Sequence, residues 1–228
     1  MKKKEKNPYS KPDFYSQKAK EEGYLARSVY KLKEINEKFK LIKKGQNILD
    51  LGCAPGSWSQ YISKIINPGI IVGIDIKDCH FSDENFIFIK GDFEKEDNKI
   101  LIKEKIDNKK FDGIVSDMAP DTEGDDNIDR FRSSQLVENA LEFCFDNLKK
   151  DGFFIAKIFQ GGDEKEVMNK IKFFFKEAKW FKPKSCRQNS VEIYIVASGF
   201  NNKNIKENKE ERDFLKELEE NYTGEMSW

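Results

Sequence analysis

Between Lys43-Lys44-Gly45 and Gly199, short apolar, β-branched runs alternate strictly with amphipathic stretches, and no other feature narrows the fold of this chain as much. The pattern is that of βαβ units, in which parallel strands need helical crossovers between them, and it predicts an α/β domain with a mostly parallel central sheet flanked by helices. The expected strands are Asn47–Leu51, Ile70–Asp75, Phe86–Ile89, Asp112–Ser116, Gly152–Ile158 and Glu192–Ala197, and the expected helices are Ser57–Ile66, Ser133–Leu148 and Glu164–Ala178. At 228 residues the chain suits one such domain.

Upstream, Leu25, Val29, Leu32, Ile35 and Phe39 recur every three or four residues, which predicts a helical segment over 14–44, divided into two helices at Gly23. Residues 1–13 read as a flexible basic arm, and residues 200–228 as a charged tail with few apolar anchors such as Phe214 and Leu218. The start has no apolar core of a signal peptide and no run approaches the ~20 apolar residues of a membrane span, so a cytoplasmic protein is expected. Four scattered cysteines without a CxxC pair, beside a single histidine, argue against a zinc site or a disulfide framework, and no metal is expected. His80 alone, read as a surface residue, cannot build the Ser-His or Cys-His pairs of nucleophilic catalysis. Formal net charge is zero, yet residues 1–44 carry fourteen Lys/Arg against six Asp/Glu, and residues 176–190 carry five against one. This asymmetry fits an anionic partner, although a lysine-rich composition alone places many lysines on any surface.

The stretch Asp50-Leu51-Gly52-Cys53-Ala54-Pro55-Gly56-Ser57-Trp58 follows an expected strand and opens an expected helix, where a backbone turns tightly against a nucleotide. Gly52 and Gly56 give the room. Ala54, Pro55 and Ser57 break the spacing of a pyrophosphate fingerprint, which disfavours NAD and leaves S-adenosylmethionine as the better match. Asp75 ends the next strand and is placed to hold ribose hydroxyls; Asp92, Asp117 and Lys157 fall at or near later strand ends. One Asp after a strand is an ordinary turn or cap residue, but four such placements on one rim, with the glycine turn, mark the ligand edge of a Rossmann-like sheet.

These motifs, DLGCAPGSWSQ (Asp50 to Gln60), SDMAP (Ser116 to Pro120), AKIFQG (Ala156 to Gly161) and VEIYIVASG (Val191 to Gly199), with ARSVYKL (Ala26 to Leu32), resemble the FtsJ/RrmJ-type ribose 2′-O-methyltransferases, in order from about Phe14 to Gly199. The resemblance implies a catalytic tetrad of Lys31, Asp117, Lys157 and Glu192, and contacts to S-adenosylmethionine from Gly56, Trp58, Asp75, Asp92 and Asp117. Methyl transfer to a ribose oxygen needs in-line placement and a deprotonating group, and Lys157 is the expected base, its pKa pushed down by burial and by a second cation, Lys31. Without the motif, Lys31 reads as a snorkelling surface lysine, and Trp58 is as much a packing residue as a contact. Charged residues in buried strands, such as Lys157 and Glu192, are rarely left unpaired.

A 2′-hydroxyl acceptor means RNA. Arg27, Lys33, Lys182, Lys184 and Arg187 are the candidate phosphate contacts. Among relatives of this type the favoured acceptor is a uridine of large-subunit ribosomal RNA; the tRNA anticodon loop is the alternative, favoured by details of GSW and KPKSCRQNSVE, and the stretch from Asp121 to Asp129 is unusually acidic for a loop beside an acceptor site. A rival of another class is a non-catalytic RNA-binding assembly factor, against which the complete tetrad speaks. A small-molecule methyltransferase is disfavoured for want of a lid domain. A monomer is expected.

Overall fold

The computed structural model describes residues 13–122, 124–187 and 189–201; most of the basic arm and the tail beyond residue 201 lie outside the described residues. In chain order the elements are α1 (Phe14–Glu21), α2 (Val29–Phe39), β1 (Ile48–Leu51), α3 (Ser57–Ile66), β2 (Ile71–Asp75), β3 (Phe86–Lys90), α4 (Glu96–Glu104), β4 (Phe111–Ser116), α5 (Asp126–Asn147), β5 (Leu148–Phe159), α6 (Glu164–Phe174), β6 (Phe175–Phe181) and β7 (Glu192–Phe200). They form one seven-stranded sheet ordered β3-β2-β1-β4-β5-β7-β6. β7 runs antiparallel to both of its neighbours, and the pairs among the other five strands from β3 to β5 are parallel.

The strand period of two sorts the core into two layers. Leu49, Leu51, Val72, Ile74, Ile114, Phe154, Ala156 and Ile158 pack with α4, α5 and α6 on one face. Ile48, Ile71, Val115, Phe153, Ile155, Tyr194 and Val196 pack with α2 and α3 on the other. Lys157 continues the period of Phe153 and Ile155, so it belongs to the α2/α3 face, as do Asp117 after Val115 and Glu192 before Tyr194. The chain thus gathers these three charges on one side of the sheet because each obeys the alternation of its own strand.

Three expectations need correction. The helix expected over Glu164–Ala178 ends at Phe174, and Phe175–Phe181 is instead an edge strand paired with β7. Burying Phe175 against Phe154 and Phe200 while β7 supplies ladder hydrogen bonds outweighs helical continuation, and the exposed Lys176 and Lys179 suit an edge. The helix expected from Ser133 begins at Asp126, and β5 begins at Leu148. Asp125 caps α5 by accepting from the amides of Asn127 and Ile128, so part of the acidic stretch serves a helix N-terminus. Helix α4 was not foreseen. The division of the N-terminal segment holds, with Val29, Leu32 and Ile35 buried but Leu25 exposed in the connection.

Candidate active site

At the carboxyl ends of β1, β2 and β4 the ladder runs on into the loops: the Gly52 amide donates to the Ile74 carbonyl at 2.9 Å and the Asp117 amide to the Leu51 carbonyl at 3.1 Å. Above this edge opens a cavity of about 530 Å³ whose lining includes Gly52, Ala54, Asp75, Asp92, Asp117 and Met118. Gly52 has φ +73°, and a Cβ there would meet Met118 Cγ at 2.8 Å and its amide nitrogen at 2.9 Å, so only glycine lets β1 turn beneath the SDMAP segment. The Asp75 carboxylate accepts from the Ala54 amide and the Lys77 amide, both at 2.8 Å, which locks it at the rim. Asp92 accepts from the Glu94 amide at 2.9 Å.

Asp117 also belongs to a second assembly. Lys157 Nζ lies 3.1 Å from Asp117 Oδ1 and donates to the Asp117 carbonyl at 2.5 Å, and the Tyr194 hydroxyl donates to the same Oδ1 at 2.7 Å. Lys31, from α2, reaches both oxygens of Glu192 at 2.9 Å. Lys157 is 8% exposed, so the cluster is held out of bulk water. Burial opposes the charge of Asp117, yet the Lys157 and Lys31 ammoniums and the Tyr194 hydroxyl hold its carboxyl below the usual range. For Lys31, burial likewise lowers the pKa, but Asp117 and Glu192 outweigh it and the group is raised. For Lys31 the carboxylates win over burial, and it stays an ammonium. The Tyr194 phenol, fully buried beside two carboxylates, is raised well above its ordinary value.

A family model of FtsJ-like methyltransferases matches residues 24–200. The chain belongs to this family. The FtsJ-like match spans the glycine turn, all seven strands and the motifs from Ala26 to Gly199. Among its relatives, ribosomal RNA large subunit methyltransferase E of Treponema denticola is 43% identical over 198 residues, covering 86% of this chain and 98% of that protein. The protein of the same name from Methanocaldococcus jannaschii is 40% identical, covering 86% of this chain and 82% of its own length. The crystal structure of a putative ribosomal RNA methyltransferase from Plasmodium falciparum superposes with a TM-score of 0.69 at 32% identity, covering 78% of this chain and 98% of that one.

The structure gathers most, but not all, of the residues expected from sequence. Gly52, Asp75, Asp92 and Asp117 line the cavity. Gly56 sits behind the turn as the N-cap of α3, and Trp58 is outside the lining. The Trp58 ring is buried against Tyr194, and its Nε1–H donates to the Ser28 carbonyl at 2.9 Å; it fastens α3 to the start of α2, which carries Lys31. Of the basic candidates, Arg27 bonds to Asp13 and to the Ser185 carbonyl at 2.6 Å, Lys33 pairs with Glu22 at 3.2 Å, and Lys182 donates to the Ser190 carbonyl at 2.7 Å. Lys184 and Arg187 are exposed. Sequence reasoning missed Tyr194, although its place two residues after Glu192 puts both on one strand face. It also passed over Asp50, fully buried on β1, which accepts from the Ser59 hydroxyl at 2.6 Å through one oxygen while the other has no hydrogen-bond partner. Among the described residues, no group of His, Cys, Asp or Glu is arranged to hold a metal, and no helix is long and apolar enough to cross a membrane.

Proposed function

We propose that this protein transfers a methyl group from S-adenosylmethionine to a ribose 2′-hydroxyl of large-subunit ribosomal RNA. The observation that carries the reading is the double membership of Asp117, which lines the cavity and also receives Lys157 and Tyr194.

The cavity suits the cofactor: its volume lies within the range of small-molecule sites, Gly52 lets the turn pack tightly against Met118 at its edge, and its lining joins Ile74, Phe93 and Met118 to the acids Asp75 and Asp92. Asp75 and Asp92 would hold the nucleoside, since a carboxylate accepting one or two backbone amides keeps lone pairs for sugar hydroxyls. When bound, the cofactor supplies an electrophilic methyl on a sulfonium. The chain supplies the rest. Lys157, once it has released its own proton, accepts that of the attacking hydroxyl, Asp117 on the cavity wall fixes the Lys157 side chain, and Lys31, kept cationic by Asp117 and Glu192, stabilises the developing oxyanion. Orientation and proton transfer of this kind need no further group from the protein.

The names of the relatives support large-subunit ribosomal RNA as the acceptor, and the exposed Lys184 and Arg187 supply charge for an RNA backbone. The test is to incubate the protein with labelled S-adenosylmethionine and, separately, large subunits, naked ribosomal RNA and tRNA, followed by alkaline digestion, which leaves 2′-O-methylated linkages uncut. Label in an alkali-resistant dinucleotide from the large subunit is the expected result; label on a base, or in tRNA alone, overturns the reading. Lys157→Ala is expected to bind cofactor normally and to lose transfer by at least about a hundredfold.

A further inference from the structure

A second cavity, of about 530 Å³, opens along the outer face of α2. Tyr30, Lys33, Glu34, Glu37 and Lys38 fall at i, i+3, i+4, i+7 and i+8, so one stripe of α2 forms its floor. Tyr15 and Lys18 of α1, with Phe181 and Lys184 on the segment that runs from β6 to β7, supply its walls. The amides of Lys184 and Ser185 donate to the Glu34 carboxylate at 2.6 and 2.9 Å, which fastens that segment to α2. The cavity is continuous with the site already described. Its floor helix also carries Lys31, and the segment beyond Lys184 ends in Glu192, so floor and wall both lead into the Lys31–Glu192 pair at 2.9 Å.

The lining sets ammonium groups beside aromatic rings. Lys18 and Lys33 lie over the Tyr30 ring at 5.0 and 5.3 Å, and Lys38 lies over the Phe181 ring at 4.8 Å. Lys18 and Lys33 share Glu22, at 3.7 and 3.2 Å, and Glu34 is already occupied by the two backbone amides. Lys38 and Lys184 are exposed and carry no ion pair among the described residues, so their charge is available to an anion. Tyr30 is buried, whereas Phe181 is half-buried at the wall and offers a ring to a flat ligand. A base stacked on an aromatic ring is held more strongly than an ammonium resting on it at an exposed site. A nucleotide entering here would therefore take the Phe181 face and release Lys38 to a phosphate.

We propose that this cavity binds an unpaired nucleotide of the acceptor RNA close to the modified one, with its base stacked on Phe181 and the flanking phosphates on Lys38 and Lys184. The proposal rests on the reading of RNA as the acceptor, and not on which atom of it is methylated. Lys31, Glu34 and Lys38 stand at i, i+3 and i+7, on one side of α2. Lys38 is thus about 10.5 Å along the helix axis from Lys31, a length that about three stacked nucleotides at ~3.4 Å each would cover. A strand laid along α2 with one ribose at Lys31 therefore brings a near neighbour to Phe181. Stacking on a side chain requires a base out of its duplex, which makes the bound segment single-stranded.

The test uses the full chain and a fluorescent single-stranded oligoribonucleotide of mixed sequence that contains photoreactive 4-thiouridine. Expected are crosslinked peptides that contain Phe181 or Tyr15. Lys38→Ala is expected to lower the slope of log affinity against log salt by about 0.7 to 1, the value for one phosphate contact. Phe181→Leu, which keeps an apolar contact for Phe39, is expected to weaken binding about fivefold or more with the slope unchanged, and Phe181→Tyr, which keeps the ring, to bind as the parent does. Crosslinks confined to peptides outside α1, α2 and residues 175–187 overturn the proposal, as do an unchanged slope for Lys38→Ala or an unchanged affinity for Phe181→Leu. Variants that bind naked RNA normally but fail to methylate assembled large subunits would show that the cavity meets protein on the particle, which also overturns it. A parent chain that binds no RNA overturns the RNA reading and this proposal together. Crosslinks at the cavity with the methyl found on a base support the proposal and overturn only the 2′-hydroxyl reading.

Discussion

Lys157 and Tyr194 stand opposite each other in the antiparallel register of β5 and β7, and both side chains end on the carboxylate of Asp117. One donor is charged and supplies most of the field; the other is neutral and fixes the direction of the oxygen it meets. Tyr194→Phe keeps the buried ring and removes only the hydroxyl. Expected is a fall in kcat of several-fold with little change in KM for the cofactor, and a stability loss of about 1.5–3 kcal/mol, the range for a hydrogen bond to a charged group. Part of that loss should depend on pH. A depressed carboxyl contributes stability above its unfolded pKa of ~4 and loses it as pH falls through the folded value, so the variant, with a weaker depression of Asp117, has less to lose and its stability deficit should shrink in acid. Melting curves from neutral pH to below pH ~4 compare the two proteins; a deficit that stays constant over that range would count against this role for Tyr194.

Lys31 and Glu192 join α2 to the start of β7 through a pair whose side chains are 12% and 14% exposed. Removing one member of a buried pair strands the other charge, whereas removing both does not. Lys31→Met and Glu192→Gln are therefore each expected to lose about 2 kcal/mol or more in urea denaturation, and the double variant to lose less than the sum. All three should lose methyl transfer. Strict additivity of the two stability losses would show that the pair is not coupled.

Much of the site was legible from residue order because it depends on rules of short range. Gly52 follows a strand and precedes a helix, and Asp75, Asp92 and Asp117 follow strands, so a parallel sheet delivers all four to one rim. Lys157 and Glu192 were recognisable as charges on buried strands. The roles of Trp58, Arg27, Lys33 and Lys182 were not legible, because each is decided by a partner distant in sequence or by a loop carbonyl that leaves no trace in composition. The same holds for β6: Phe173-Phe174-Phe175 reads as a continuing helix until β7 is present to pair with the residues after it.

Arg27 illustrates how a basic residue beside a proposed RNA surface serves another purpose. Its guanidinium bonds to Asp13 and to the Ser185 carbonyl, tying the start of α1 to the loop before β7. Arg27→Ala is expected to cost about 1–3 kcal/mol of stability, the scale for a charge-assisted hydrogen bond lost from a partly buried site. Its effect on RNA affinity should be small and should leave the slope of log affinity against log salt unchanged, because no phosphate contact is removed. Lys184→Ala is expected to do the reverse, lowering the salt slope by about one with little change in stability. A reduced salt slope for Arg27→Ala would return it to the set of phosphate contacts.

Asp50 adds its own pH-dependent contribution to the stability of the domain. Its carboxyl is fully buried beneath the glycine turn with one hydrogen bond, from Ser59, and burial together with the nearby Asp117 pushes its pKa up to about 8 despite that bond. An acid whose folded pKa lies above its unfolded value of ~4 holds a proton in the native state that the unfolded chain has released, so its contribution to stability falls as pH rises between those values and levels off above the upper one. Asp50→Asn fills the same space, keeps an acceptor for Ser59 and carries no charge at any pH. Relative to the parent protein, the variant should therefore gain stability steadily from about pH 5 to about pH 8, whatever the constant offset from its new amide. Denaturant midpoints measured across that range decide the matter: two parallel profiles would mean that Asp50 ionises in the native state much as it does unfolded, and that its unpartnered oxygen meets water or a donor in solution.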